Sequence, residues 1–115
     1  MKKIFGFLLI FIMCTGTANA YIDRNTATLR VMDKAAGKVQ TLVVPVDTPT
    51  KFEKLDITVR ACKQTDPFQA EDFFAFIEIT KSTDGQIFGG WMSRNEPGNN
   101  PLQNADYDLW LVKCE

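Results

Sequence analysis

In segment after segment of this 115-residue chain, apolar residues recur at every second position, and no stretch sustains three turns of an amphipathic helix. Period-two patterning gives each segment one face for a core and one for water. The stable solutions are a sheet packed on a sheet or a sheet closed on itself. Residues 26–34 alternate Ala27, Leu29 and Val31 against Thr28, Arg30 and Met32, and residues 38–46 alternate Val39, Thr41 and Val43 against Gln40, Leu42 and Val44. Ala35-Ala36-Gly37 joins them as a hairpin with glycine available for a left-handed position. Pro45 belongs at an edge or strand end, and Asp47-Thr48-Pro49-Thr50 turns the chain.

Residues 55–62 place Leu55, Ile57, Val59 and Ala61 on one face and Asp56, Thr58, Arg60 and Cys62 on the other. Lys63 to Asp72 is polar, contains Pro67, and reads as a surface loop. Phe73 to Thr80 is apolar on both faces except at Glu78, the pattern of a central strand covered from both sides. Asp84-Gly85 turns it into Gln86 to Met92 as a second hairpin. Residues 93–104 form a long turn-rich loop, and the last strand, 106–114, sets Tyr107, Leu109 and Leu111 against Trp110, Val112 and Cys114. The expected fold is all-β, a small antiparallel sandwich or partly closed barrel formed by a single domain over residues 21–115.

The first twenty residues read as a signal peptide. Lys2 and Lys3 are its basic region, Ile4 to Cys14 its apolar region, and Ala18-Asn19-Ala20 its cleavage site. The apolar run is about half of the ~20 residues that a spanning helix needs, and no later run resembles it. A periplasmic or secreted chain without a transmembrane segment after cleavage is therefore expected. Met13 before Cys14 does not match a lipidation site. Loss of the leader would leave Cys62 and Cys114 as the two cysteines, and an oxidising compartment favours joining them. For a loop of about fifty residues the chain-entropy model gives about 4 kcal/mol, as an upper figure.

Charge and residue content argue against several functions. The chain has 13 basic and 14 acidic side chains; without Lys2 and Lys3 this becomes 11 against 14, a formal charge of −3, which does not suit a nucleic-acid partner. It contains no histidine, the usual general base and metal ligand. Ser82 and Ser93 have no neighbouring base in sequence, and there is no C-x-x-C motif. Asn104-Ala105-Asp106-Tyr107-Asp108 imitates the start of a calcium loop, but Leu109 stands where that turn requires glycine. No catalytic residue, metal or cofactor is implied. One enzymatic alternative remains, a hydrolase of an envelope glycan using Glu78 with Asp106 or Asp108, in which burial of Glu78 would suit an acid role. The competing reading makes Glu78 an outward residue or a partner of Arg60.

Aromatic residues offer a different function. Phe73, Phe74, Phe76, Phe88, Trp91, Tyr107 and Trp110 exceed what a core of this size needs, and Trp91 opens onto the long polar loop. Trp91 has two readings, core packing beside a disulfide or a ring that stacks on a sugar or clamps a peptide. Gly89-Gly90 leaves room for close approach, and the loop supplies hydrogen-bonding groups. The expected binding residues are accordingly Trp91, Arg94, Asn99 and Asn100, with Asp106 at the rim.

Val44-Pro45-Val46, Phe52 to Cys62 (FEKLDITVRAC), Ala75 to Ile79 (AFIEI), Phe88 to Met92 (FGGWM) and Tyr107 to Cys114 (YDLWLVKC) together resemble a family of small exported bacterial proteins known as domain of unknown function 2155. The resemblance runs from Met32 to Cys114. It implies export, one domain and a cysteine pair at Cys62 and Cys114, and it supplies no activity. Members of that family commonly carry Glu-His-Pro before the tyrosine, where this chain has Gln103-Asn104-Ala105. The expectation is an exported, non-catalytic binding or structural module of the cell envelope whose partner is an envelope protein or glycan.

Overall fold

The computed structural model describes residues 21–115, so the expected leader 1–20, its cleavage site and Cys14 lie outside the described residues. Among the described residues the chain forms strands β1 (Tyr21–Arg24), β2 (Thr26–Asp33), β3 (Lys38–Pro45), β4 (Thr50–Phe52), β5 (Leu55–Thr65), β6 (Phe73–Lys81), β7 (Gly85–Ser93) and β8 (Tyr107–Cys114), with a single 3-10 turn at Pro97–Asn99. The first sheet has the order β1-β5-β6-β7, and β4 also pairs with β5; the second has the order β3-β2-β8. Every pairing is antiparallel. The strands β7 and β8 do not pair, so the two sheets form an open sandwich and not a barrel.

Six of the strands lie where the alternation places them. The two additional ones, β1 and β4, share one edge of β5, with β4 opposite Leu55 to Ile57 and β1 opposite Cys62 to Thr65. Between them the Asp47 N–H donates to the Val59 carbonyl at 2.7 Å, which completes that edge. β5 also continues through Thr65, so the loop after it is confined to 66–72. Gly37 and Gly85 both have positive φ, 66° and 80°. At Gly85 this follows from the hairpin, where a three-residue loop closes on a left-handed residue that an L side chain rarely adopts.

The core lies between the sheets and is built from Ala27, Leu29 and Val31 of β2, Leu42 and Val44 of β3, Leu55, Ile57 and Val59 of β5, Ala75, Ile77 and Ile79 of β6, and Leu109 and Leu111 of β8. Strict alternation puts Cys62 with Arg60 on the outer face and Cys114 with Trp110 on the other, which would keep the two sulfurs apart. Two β-bulges change these facings and allow the pairing expected from the sequence. The register shifts between Val59 and Ala61 on β5, and opposite Thr28 and Leu29 the strand β8 skips from Leu111 to Lys113. One extra residue reverses the faces of everything beyond it. Each bulge therefore turns its cysteine inward, where both are buried.

Cys62 and Cys114 form a disulfide with their Cα atoms 5.6 Å apart and 52 residues between them in sequence. It joins the two sheets across the core and does not link neighbouring strands of one sheet.

The strand β6 is central within the first sheet, but only its inner face, Phe73, Ala75, Ile77 and Ile79, is buried. Among the described residues no second layer covers Phe74, Phe76 and Glu78 on the outer face. The expectation of cover on both sides fails because the outer apolar residues pack with one another.

Candidate functional site

The outer face of the first sheet carries four aromatic rings. Tyr21 of β1 meets Phe74 of β6 edge to face, with ring centroids 5.5 Å apart. Phe76 meets Trp91 of β7 in the same way, also at 5.5 Å, because these two residues are direct cross-strand partners. Edge-to-face packing stabilises each pair yet leaves ring faces open to solvent. Tyr21 is 55% exposed and Trp91 44% exposed, which excludes the core reading of Trp91. A shallow cavity of about 290 Å³ lies between Tyr21, Lys63, Phe74 and Trp91. Lys63 at its rim pairs with Asp23 at 2.6 Å.

The same face becomes ionic further along the strands. Arg60, carried outward at the β5 bulge, donates to Glu78 at 2.8 Å and to Asp47 at 3.2 Å. These hydrogen bonds, Glu78 first, raise the Arg60 pKa above its ordinary value. Glu78 is thus the outward ion-pair partner of Arg60. Asp108 lies on β8 in the second sheet and Asp106 pairs with Lys81, so neither is assembled with Glu78 as an acid–base pair.

The remaining sequence-nominated residues do not all gather around Trp91. Arg94 is spent on the chain itself, donating to the Glu71 carboxylate and carbonyl, both at 3.0 Å, and to Asn95 at 2.9 Å, while its guanidinium lies 4.8 Å from the Phe73 ring. Asp72 is the hub of this clamp. Its carboxylate accepts from the Phe73 and Asn95 N–H groups and from the Ser93 hydroxyl, which ties loop 66–72 to the start of the loop after β7.

Asn99 donates to Glu96 at 2.7 Å, and Asn100 donates to the Trp91 carbonyl at 3.1 Å. A Cβ on Gly90 would stand 2.7 Å from the Asn100 amide nitrogen, so the room left by this glycine is filled by the protein's own loop. Asp106 is at the far end of the sandwich, bonded to Lys81 at 2.6 Å. Lys81 is five residues beyond the Trp91 partner Phe76 on β6, or about 16 Å of strand.

That far end contains a second polar cluster, of which the sequence pointed only to Asp106. Lys81 is buried beneath Asp106 and lies 5.8 Å from the Tyr107 ring centroid, and the Tyr107 hydroxyl donates to Glu53 at 3.3 Å. Glu53 holds this position with φ 54°, a backbone conformation uncommon outside glycine. The hydrogen bond to Asp106 raises the Lys81 pKa, and burial raises that of Tyr107. Asp33 is held below the usual carboxylate range, first by the Ala36 N–H and then by Glu53. The groups converge because β4, β6, β2 and β8 all have ends here, and such convergence has no local sequence signature. Within it Lys81 pairs with Asp106 and Asp84, and among the described residues no group of side chains is arranged to hold a metal.

A family model described as "Uncharacterized protein conserved in bacteria (DUF2155)" matches residues 27–114. No curated protein and no solved structure matches the chain.

Proposed function

The chain belongs to this family of uncharacterized bacterial proteins, and we propose, from its leader-like first residues and its exposed aromatic face, that it is an exported, non-catalytic binding module of the cell envelope whose contact surface is the aromatic outer face of the first sheet. The observation that carries the reading is the set of four rings, Tyr21, Phe74, Phe76 and Trp91, on a sheet face with no covering layer among the described residues. Half-exposed aromatic rings around a shallow cavity give a partner apolar area at low conformational cost. The paired charges Lys63–Asp23 and Arg60–Glu78 border that area with polar groups.

Export is supported by the leader-like residues 1–20 and by the pairing of Cys62 with Cys114, since disulfides persist in oxidising compartments. An envelope protein or glycan is the class of partner that such a location offers. Among the described residues no helix is long and apolar enough to cross a membrane.

A photoreactive residue placed at Tyr21 or Trp91 in intact cells tests the surface. The expected result is a discrete crosslinked envelope species from either position and none from Val43, which is more open to solvent than either and stands on the second sheet. The same crosslink from Val43, or none from the aromatic positions in a folded and fractionated periplasmic protein, overturns the reading.

A further inference from the structure

A second surface, separate from the aromatic face, lies along the outer edge of β8, with which no strand pairs among the described residues. The Lys34 N–H donates to the Asp106 carbonyl at 2.9 Å, which fixes the phase of the β2–β8 ladder. In an antiparallel pair, alternate residues exchange hydrogen bonds and those between turn their N–H and C=O groups the other way. Asp108 and Trp110 therefore bond to β2, while Leu109 and Leu111 present their backbone groups to the free edge. Beside that edge runs a groove of about 440 Å³, walled on its far side by Pro97, Gly98 and Pro101 of the loop after β7. The Leu109 N–H is held locally by the Asp108 carboxylate at 2.9 Å.

The groove has a charge as well as a hydrogen-bonding pattern. Residues 95–112 include Glu96, Asp106 and Asp108 and no lysine or arginine. Asp106 is neutralised by Lys81, and Glu96 holds Asn99. Asp108 lines the groove and pairs with no cation among the described residues. An open strand edge recognises an extended backbone, and an unpaired carboxylate beside it favours a basic side chain.

We propose that this groove binds a short extended peptide carrying a lysine or arginine, added to β8 as a fourth strand of the second sheet. The peptide backbone would take up the Leu109 carbonyl and the Leu111 N–H and C=O groups, its basic residue would face Asp108, and its apolar residues would lie against Trp110 and the two prolines. The regular edge ends at the bulge after Leu111, so three or four residues of the peptide form the ladder.

The test selects a phage-displayed library of random decapeptides against the protein and carries one enriched sequence forward as a synthetic peptide. The expected consensus carries a lysine or arginine two positions from an apolar residue, because Asp108 and Trp110 stand on the same face of β8. The synthetic peptide should slow hydrogen exchange at the Leu111 amide at least tenfold, lose binding when its alternate backbone nitrogens are methylated, and bind Asp108→Asn at least fivefold more weakly. Asparagine keeps an oxygen to cap the Leu109 N–H, so the change isolates the charge. Trp91→Ala should leave this binding unchanged, which separates it from the aromatic face. The proposal is overturned by an absence of enriched sequences, by an acidic consensus, or by protection located at β3 or the aromatic face. It is also overturned by self-association of the protein through the same amides, or by equal affinity of Asp108→Asn.

Discussion

The two faces of the first sheet are made by the same strands yet have opposite physical characters, and β6 shows the contrast residue by residue. Its inner side, Phe73, Ala75, Ile77 and Ile79, is sealed against the second sheet, whereas Phe74, Phe76 and Glu78 on its outer side are only half buried. Neighbouring phenylalanines, Phe73 and Phe74, thus have different roles. The inner ring contributes to the core, and the outer ring contributes to a surface that the fold does not need for its own closure. Aromatic content by itself does not distinguish these roles. The side of the pleat on which each ring stands does.

The largest expected effect lies on the inner side. Reduction of Cys62–Cys114, or Cys62→Ser with Cys114→Ser, should lower stability by up to about 4 kcal/mol, the chain-entropy figure for a loop of this size. Denaturant unfolding with and without reductant measures it, and an unchanged midpoint would show that the cross-sheet bond does not constrain the unfolded chain. Ile77→Ala, at a fully buried position, should cost about 2–5 kcal/mol in the same experiment. A cost below about 1 kcal/mol would contradict the sealed inner face.

Lys81 and Tyr107, where β6 ends, sharpen the contrast through pH. Both have pKa values raised above the ordinary ones, by the Asp106 hydrogen bond and by burial respectively. Each therefore contributes stability that is complete below about pH 10 and lost as pH rises through the raised value. Melting temperature should fall above that pH, and Tyr107→Phe should flatten part of the fall. An alkaline limb identical in the variant would remove Tyr107 from the account.

Smaller effects are expected on the outer side. Trp91→Ala should cost only about 1–2 kcal/mol, because the ring is already half exposed, while abolishing crosslinking from Tyr21. Glu78→Gln should leave the melting temperature within measurement error, since its partner Arg60 is an exposed cation. A steep loss of stability in Glu78→Gln would mean that this end of the face is structural.

The sequence conveyed the strands with long alternating patterns and the two hairpins, because hydrophobic period and turn chemistry are local. It did not convey β1 or β4, which are too short to show a period and form only because β5 offers them an edge. The bulges were invisible for a related reason: a one-residue slip is selected by what lies across the sheet, and nothing near Arg60 or Val112 marks it. Pairing of Cys62 with Cys114 could still be read from their number and the expected compartment. Their inward direction could not. Within the candidate site, Trp91 stood out in the sequence, but its companions Tyr21 and Phe74 become neighbours only through strand pairing. Arg94, Asn99 and Asn100 have their hydrogen bonds within the protein, through Glu71, Glu96 and the Trp91 carbonyl, which no reading of a loop in isolation reveals.

Hydroxyl-radical footprinting of the protein within isolated cell envelopes, compared with the purified protein, tests most directly whether the outer aromatic face is the contact surface. Labelling of Tyr21 and Trp91 should fall at least fivefold in the envelope, while Phe68, which is 96% exposed in the loop after β5, should be labelled equally in both. Equal labelling of Tyr21 and Trp91 in both preparations would contradict the account.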